Sequence, residues 1–340
     1  MNLRQQLYDF LNSSKLPDHD SLLELADKAV SLLENEDSAY RPKEKSDKKY
    51  SGGLLDFRGD DRPIIVIPDL HGRGYFLMHL LDYRIQLDGW EKELTVLEAL
   101  EKGLVYVIFV GDLYHSELRG YARWKKAYLS YSKGQVICPD MISEMLENLN
   151  LLQMVITLKL ACPGNFHFLK GNHENILNEE GRGNHAFHKM VAEGAMVYRF
   201  MSEQYGDAVL YILSCLEHCL PLCAVFDNLV VSHAEPAFVM NKTRIINYRN
   251  NPNVVLALTW TPNDGAETGA VSKSIKNLVG KNCRDVVWIG GHRPIKGTYA
   301  YRQRKKYIQI HNPDQENVAL VMPGKRFDPE TGMISVAPAN

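Results

Sequence analysis

The chain has 340 residues, 45% hydrophobic and 24% charged, the balance of an ordinary globular protein with one large domain or two. A net charge of -2 argues against general electrostatic binding of nucleic acid. No apolar stretch is long enough to span a bilayer, and "MNLRQQLYDFLNSSKL" lacks a basic head before an apolar signal core, so a cytoplasmic protein with no membrane partner is expected.

Residues 1–60 read as a helical extension followed by a charged linker. "SLLELADKAVSLLENE" carries apolar residues at helical spacing, with Ser21 and Glu24 placed for a capping box. "RPKEKSDKK" has the composition of a solvated connector. From Pro63 the pattern changes to short apolar runs that each end in a polar cluster: "PIIVI" before "PDLHG", "LVYVIFV" before "GDLYH", "NFHFL" before "KGNHE", "NLVVS" before "HAEP" and "DVVWI" before "GGHRP". Continuous apolar runs of this length predict strands covered on both faces. The expected fold is α/β, a layered β-sandwich flanked by helices, in one domain over about residues 61–330. An insertion at about 113–140, rich in aromatic and basic residues, interrupts it, and residues 140–160 predict a buried helix capped by Asp140. Six cysteines in so long a chain predict reduced thiols. Cys215, Cys219 and Cys223, with His218 among them, suit an apolar helix face better than a zinc site.

Every predicted strand ends in a residue able to hold a metal: Asp69 and His71, Asp112, Asn172 with His173 and Glu174, His233, and His292. Imidazole, carboxylate and amide oxygen together suit borderline divalent ions. Asp69 and His71 are two apart, so in an extended segment both point to one side and can chelate one ion. Asp112 can bridge to a second ion, closed by Asn172, His233 and His292. Two such ions, about 3.5 to 4 Å apart, would polarise a phosphoryl group and generate a hydroxide nucleophile at neutral pH.

"DLHG", "GD", "GNHE" and the histidines of "SHAEP" and "GGHRP", in this order over about residues 63–322, resemble the calcineurin-like metallophosphoesterases. Within that superfamily they look similar to the serine/threonine phosphoprotein phosphatase branch and its bacterial relatives, because Pro294 stands where the other common ending has a second histidine. The resemblance implies two metal ions (Mn, Fe or Zn), with Asp69 and His71 on the first, Asp112 between them, and Asn172, His233 and His292 on the second. It also implies His173 as the general acid and Glu174 as an outer residue steadying the loop. The chain departs from the branch at "GDLYHSE": His115 stands where an aspartate would orient the general acid, and Ser116 where an arginine would grip phosphate. Arg73, Arg119, Arg123 and Arg293 are the candidate replacements. The expected partner is a phosphorylated substrate, either a protein or a small metabolite. Two other readings stay open: hydrolysis of a nucleotide or dinucleoside polyphosphate, and a phosphatase-like scaffold that binds phosphorylated partners.

Overall fold

Each apolar run forms a strand in the computed structural model, which describes residues 2–45, 47–87, 89–280 and 283–338. Ile64–Ile67, Tyr106–Phe109 and Phe166–Phe168 lie side by side in parallel. Antiparallel Asn317–Val321 and Met333–Ser335 extend them to a five-stranded sheet. Leu229–Ser232 and Val287–Gly290 are parallel neighbours in a second, six-stranded sheet, with Leu54–Asp56 at one edge and Ala300–Arg302 at the other.

Side-chain alternation along the strands builds the layers. Ile64, Val66 and Ile108 turn inward to meet Val231, Ile289 and Ile308 of the other sheet. Ile65, Ile67, Val107 and Phe109 turn outward beneath helices that include Gly74–Asp82, Pro139–Ala161 and Glu193–Cys219. The outer face of the second sheet packs Val225, Val230 and Trp288 against Pro252–Thr259 and Ala270–Val279. Strands buried on both faces must be apolar at every position, which is why they read as continuous runs. The result is the expected sandwich, helix on sheet on sheet on helix.

Several local expectations are corrected. Helix His19–Glu34 is capped by Asp18, whose carboxylate accepts the Ser21 N–H at 3.0 Å, so Ser21 lies inside the first turn and the capping box does not form there. Pro139 opens the later helix and Asp140 sits in its first turn, where a negative charge suits the helix dipole without capping it. The charged connector is not solvated throughout. Arg41 is fully buried, donating to Glu36 at 2.5 Å and to the Gly52 carbonyl at 2.8 Å. The first sixty residues also supply the edge strand Leu54–Asp56, paired in parallel with Cys223–Val225. Cys215 and Cys219 lie on helix Glu193–Cys219 and Cys223 on the next strand, and none of the candidate metal-ligand groups among the described residues includes a cysteine. None of the described helices is long and apolar enough to cross a membrane.

Candidate metal centre

The strands that carry the polar clusters point the same way, so their C-terminal loops meet at one end of the sandwich, where sites on such sheets form. Asp69, His71, Asp112, Asn172, His173 and His233 are all buried there. Asp112 is the hub. Its Oδ2 lies 3.7 Å from His71 Nε2, 3.7 Å from His173 Nε2 and 3.4 Å from His233 Nε2, while Oδ1 accepts the His173 N–H at 2.9 Å. To one side, Asn172 Oδ1 sits 2.9 Å from His233 Nε2 and 2.8 Å from His292 Nδ1, and the two imidazole nitrogens are 3.2 Å apart. To the other side stand Asp69 and His71. The His71 Nδ1–H donates to the Tyr114 carbonyl at 3.0 Å, which leaves Nε2 as a lone pair turned toward Asp112.

The backbone is strained at this centre. His71, Asp112, His115 and His292 all have positive φ, between 47° and 67°, a region costly for residues with a Cβ and characteristic of functional sites. Close packing explains two of the motif glycines. A Cβ on Gly171 would collide with the Asp112 carboxylate, and one on Gly291 with that of Asp69. Glu174 knits the loops together by accepting the N–H groups of Gly171 at 2.6 Å, Asp112 at 2.9 Å and Leu113 at 2.8 Å.

Electrostatics favour a cation. Burial and the nearby Glu117 push the Asp69 carboxyl up to about 6, and burial together with Asp69 and Glu174 pushes Asp112 up as well. Burial drives the surrounding imidazoles the other way, His71 down to about 4 and His292 to about 3. Asp69 Oδ1 and His311 Nδ1 are buried without hydrogen-bond partners among the described residues. Crowded carboxylates beside neutral imidazoles are the donor set of a divalent ion, whose charge would relieve both burdens. The residues present therefore fit a metal centre.

His173 is not alone. Its Nδ1 lies 2.8 Å from His115 Nδ1, so one ring donates to the other, and the His115 ring stacks on Phe187 at 4.9 Å and 11°. Ser116 is turned away, its hydroxyl and N–H both on Glu144. Three of the four candidate arginines are held elsewhere. The Arg73 guanidinium is spent on the carbonyls of Asp69, Leu70, Asn312, Pro313 and Gln315. Arg119 pairs with Glu147 and the His71 carbonyl, and Arg123 with Glu144 and Glu147. Helix Tyr121–Tyr131, in segment 113–140, packs on Pro139–Ala161 with Trp124 buried, while Glu117, in the stretch before the helix, borders the centre. Arg293 lines the cavity of about 450 Å³ that opens onto the centre, together with Glu117, His173, Phe187, Lys189 and Trp260.

Sequence reasoning missed three residues here. His311 is fully buried 3.8 Å from Asp69, Glu117 contacts it at 2.9 Å, and Lys189 stands 3.4 Å from Glu117. His311 carried the same signal as the others, a polar residue after the short run "YIQI", but Gln309 broke its apolar character.

A calcineurin-like phosphoesterase family profile matches residues 62–296. Among solved structures, a protein serine/threonine phosphatase from Saccharomyces cerevisiae with similarity to human phosphatase PP5 is 14% identical, with 98% of this chain and 95% of that one covered at a TM-score of 0.58. A cold-active protein tyrosine phosphatase (13% identity, 79% and 75% covered, TM-score 0.49) and a putative diadenosine tetraphosphatase (14%, 84% and 97%, 0.38) align more loosely. No curated protein matches the chain in sequence. At such identities the structural likeness speaks for the fold, and the profile, which spans more than half the chain, decides the family: this chain belongs to the calcineurin-like phosphoesterases, metal-dependent hydrolases of phosphate esters.

Proposed function

We propose that the chain hydrolyses phosphomonoesters at a dinuclear metal centre, with Asp69 and His71 on the first ion, Asp112 shared, and Asn172, His233 and His292 on the second. The observation that carries this reading is the position of Asp112 Oδ2, within 3.4 to 3.7 Å of imidazoles on both sides. Bound ions would polarise the phosphoryl oxygens and lower the pKa of a water held between them. The chain's own residues do the rest. Lys189 and Arg293 place positive charge in the cavity wall and draw in the phosphate. His173, held at Nδ1 by His115, presents Nε2 to the centre and gives its proton to the departing oxygen. Burial disfavours the imidazolium form of His173, and the dianionic phosphate, once bound, supplies the negative charge that restores it.

A nucleotide base could stack on the aromatic residues of segment 113–140, but the helix Tyr121–Tyr131 contributes no side chain to the cavity wall. The scaffold reading is opposed by the strained backbone and partnerless donors, which a binding module has no use for.

The test is metal analysis combined with hydrolysis of a generic aryl phosphate, after chelation and separate reloading with manganese, zinc or iron. Two ions per chain and metal-dependent turnover are expected. Metal binding without turnover on any phosphate ester would favour the scaffold, and no metal binding would overturn the assignment of the ligands.

A further inference from the structure

His311 lies just beyond strand Tyr307–Gln309, with no exposed surface. Its Nε2 is 2.9 Å from Glu117 Oε2. An ionised carboxylate only accepts hydrogen bonds, so Nε2 carries a proton, and in the neutral ring Nδ1 is the lone pair. That lone pair has no partner among the described residues and faces Asp69 Oδ2 at 3.8 Å. Asp69, His71 and His311 each offer a donor atom, all within 4.8 Å of one another. A buried lone pair aimed at a buried carboxylate is repulsive unless a proton or a metal ion stands between them, and at 3.8 Å the two are too far apart for a hydrogen bond and leave room for an ion. The Glu117–His311 pair has the usual build of a metal-bound histidine, in which a carboxylate on the far nitrogen fixes the ring and raises its basicity.

We propose that His311 is a further protein donor to the first ion, through Nδ1, and that Glu117 is the positioning residue that sets its tautomer. The proposal rests on the metal-binding reading of the site. It gives the first ion four protein donors, Asp69, His71, Asp112 and His311. Because Glu117 also lies 3.4 Å from Lys189, it links that shell to a cation in the cavity wall.

The test uses the full chain, stripped with a chelator and titrated with Co²⁺, with affinity read by calorimetry and coordination by visible absorption. The parent should take up two ions. His311→Gln should lose the ion at the first site or bind it at least about tenfold more weakly, with altered visible bands. Glu117→Ala should weaken it by about 10–100-fold, and Glu117→Gln, which keeps an acceptor, should recover part of the loss. Melting of the metal-free variants near the parent value separates lost coordination from misfolding. Should a variant fail to fold, the parent labelled with ¹⁵N-histidine and loaded with ¹¹³Cd²⁺ still decides, since only a direct bond gives His311 Nδ1 a one-bond coupling to the metal. Two ions bound by His311→Gln with parent affinity and spectrum, or a His311 ring without that coupling, would overturn this proposal and leave the dinuclear reading standing. A parent that binds no Co²⁺ would defeat both.

Discussion

Replacing His115 with phenylalanine isolates the contact that orients His173. The new ring is somewhat larger but keeps an aromatic face for the stacking on Phe187 at 4.9 Å, and it removes both ring nitrogens: the one 2.8 Å from His173 Nδ1 and Nε2, which has no partner among the described residues. His173 is then left with a buried polar atom unpaired, a penalty of about 1–3 kcal/mol. If that penalty falls on the step in which His173 donates its proton, turnover drops about 5- to 150-fold. The loss should appear in kcat with alkyl phosphates, whose leaving oxygen needs a proton, and should be several-fold smaller with activated aryl phosphates. Metal content should not change. The double variant His115→Phe/His173→Ala should be no slower than His173→Ala alone, because the pair acts as a unit. Equal slowing on both ester classes, or additive losses in the double variant, would refute an orienting role and assign His115 to packing.

Asp112→Ala should leave neither ion tightly held, whereas His71→Ala should keep the second, as read by metal content after gel filtration; equal retention in both would contradict the bridging position. Glu174→Gln puts an amide N–H₂ against backbone N–H donors, so unfolding by urea should show a loss of about 2–4 kcal/mol, accompanied by weaker metal binding. Burial alone would raise the Glu36 carboxyl, yet Lys159, Arg41 and His167 pull it from 4.5 down to about 2, which corresponds to roughly 3 kcal/mol of stability. That stability is fully present above the unfolded-state pKa of about 4.5 and is lost as pH falls through about 2. Glu36→Gln should therefore be about 3–5 kcal/mol less stable at pH 7, with the gap to the parent closing between pH 4.5 and 2; a gap that stays constant over that range would remove the charge argument.

The strand ends were legible because two local properties coincide in them. A strand covered on both faces must be apolar throughout, and the residue just past it is the first that can be polar, so "PIIVI" before Asp69 and "DVVWI" before the "GGH" turn carry both fold and chemistry in a few residues. Motif order then named the family. Helix caps were less legible, because Asp18 and Ser21 are both good caps by chemistry and the choice depends on where the chain turns in toward the core.

The sequence by itself determined the layered α/β fold and the set of buried donor residues at the strand ends, since both follow from hydrophobic pattern and side-chain chemistry. Only the tertiary structure decided which charges pair and which further imidazole lies beside Asp69. Arg119 and Arg123 sit in segment 113–140 and Glu144 and Glu147 on a separate helix, so nothing in their spacing shows that these charges neutralise one another. His311 and Glu117 are 194 residues apart, and Asp69 lies on a third segment. Their grouping comes from how the two sheets stack, which sets distances through space that no local pattern encodes.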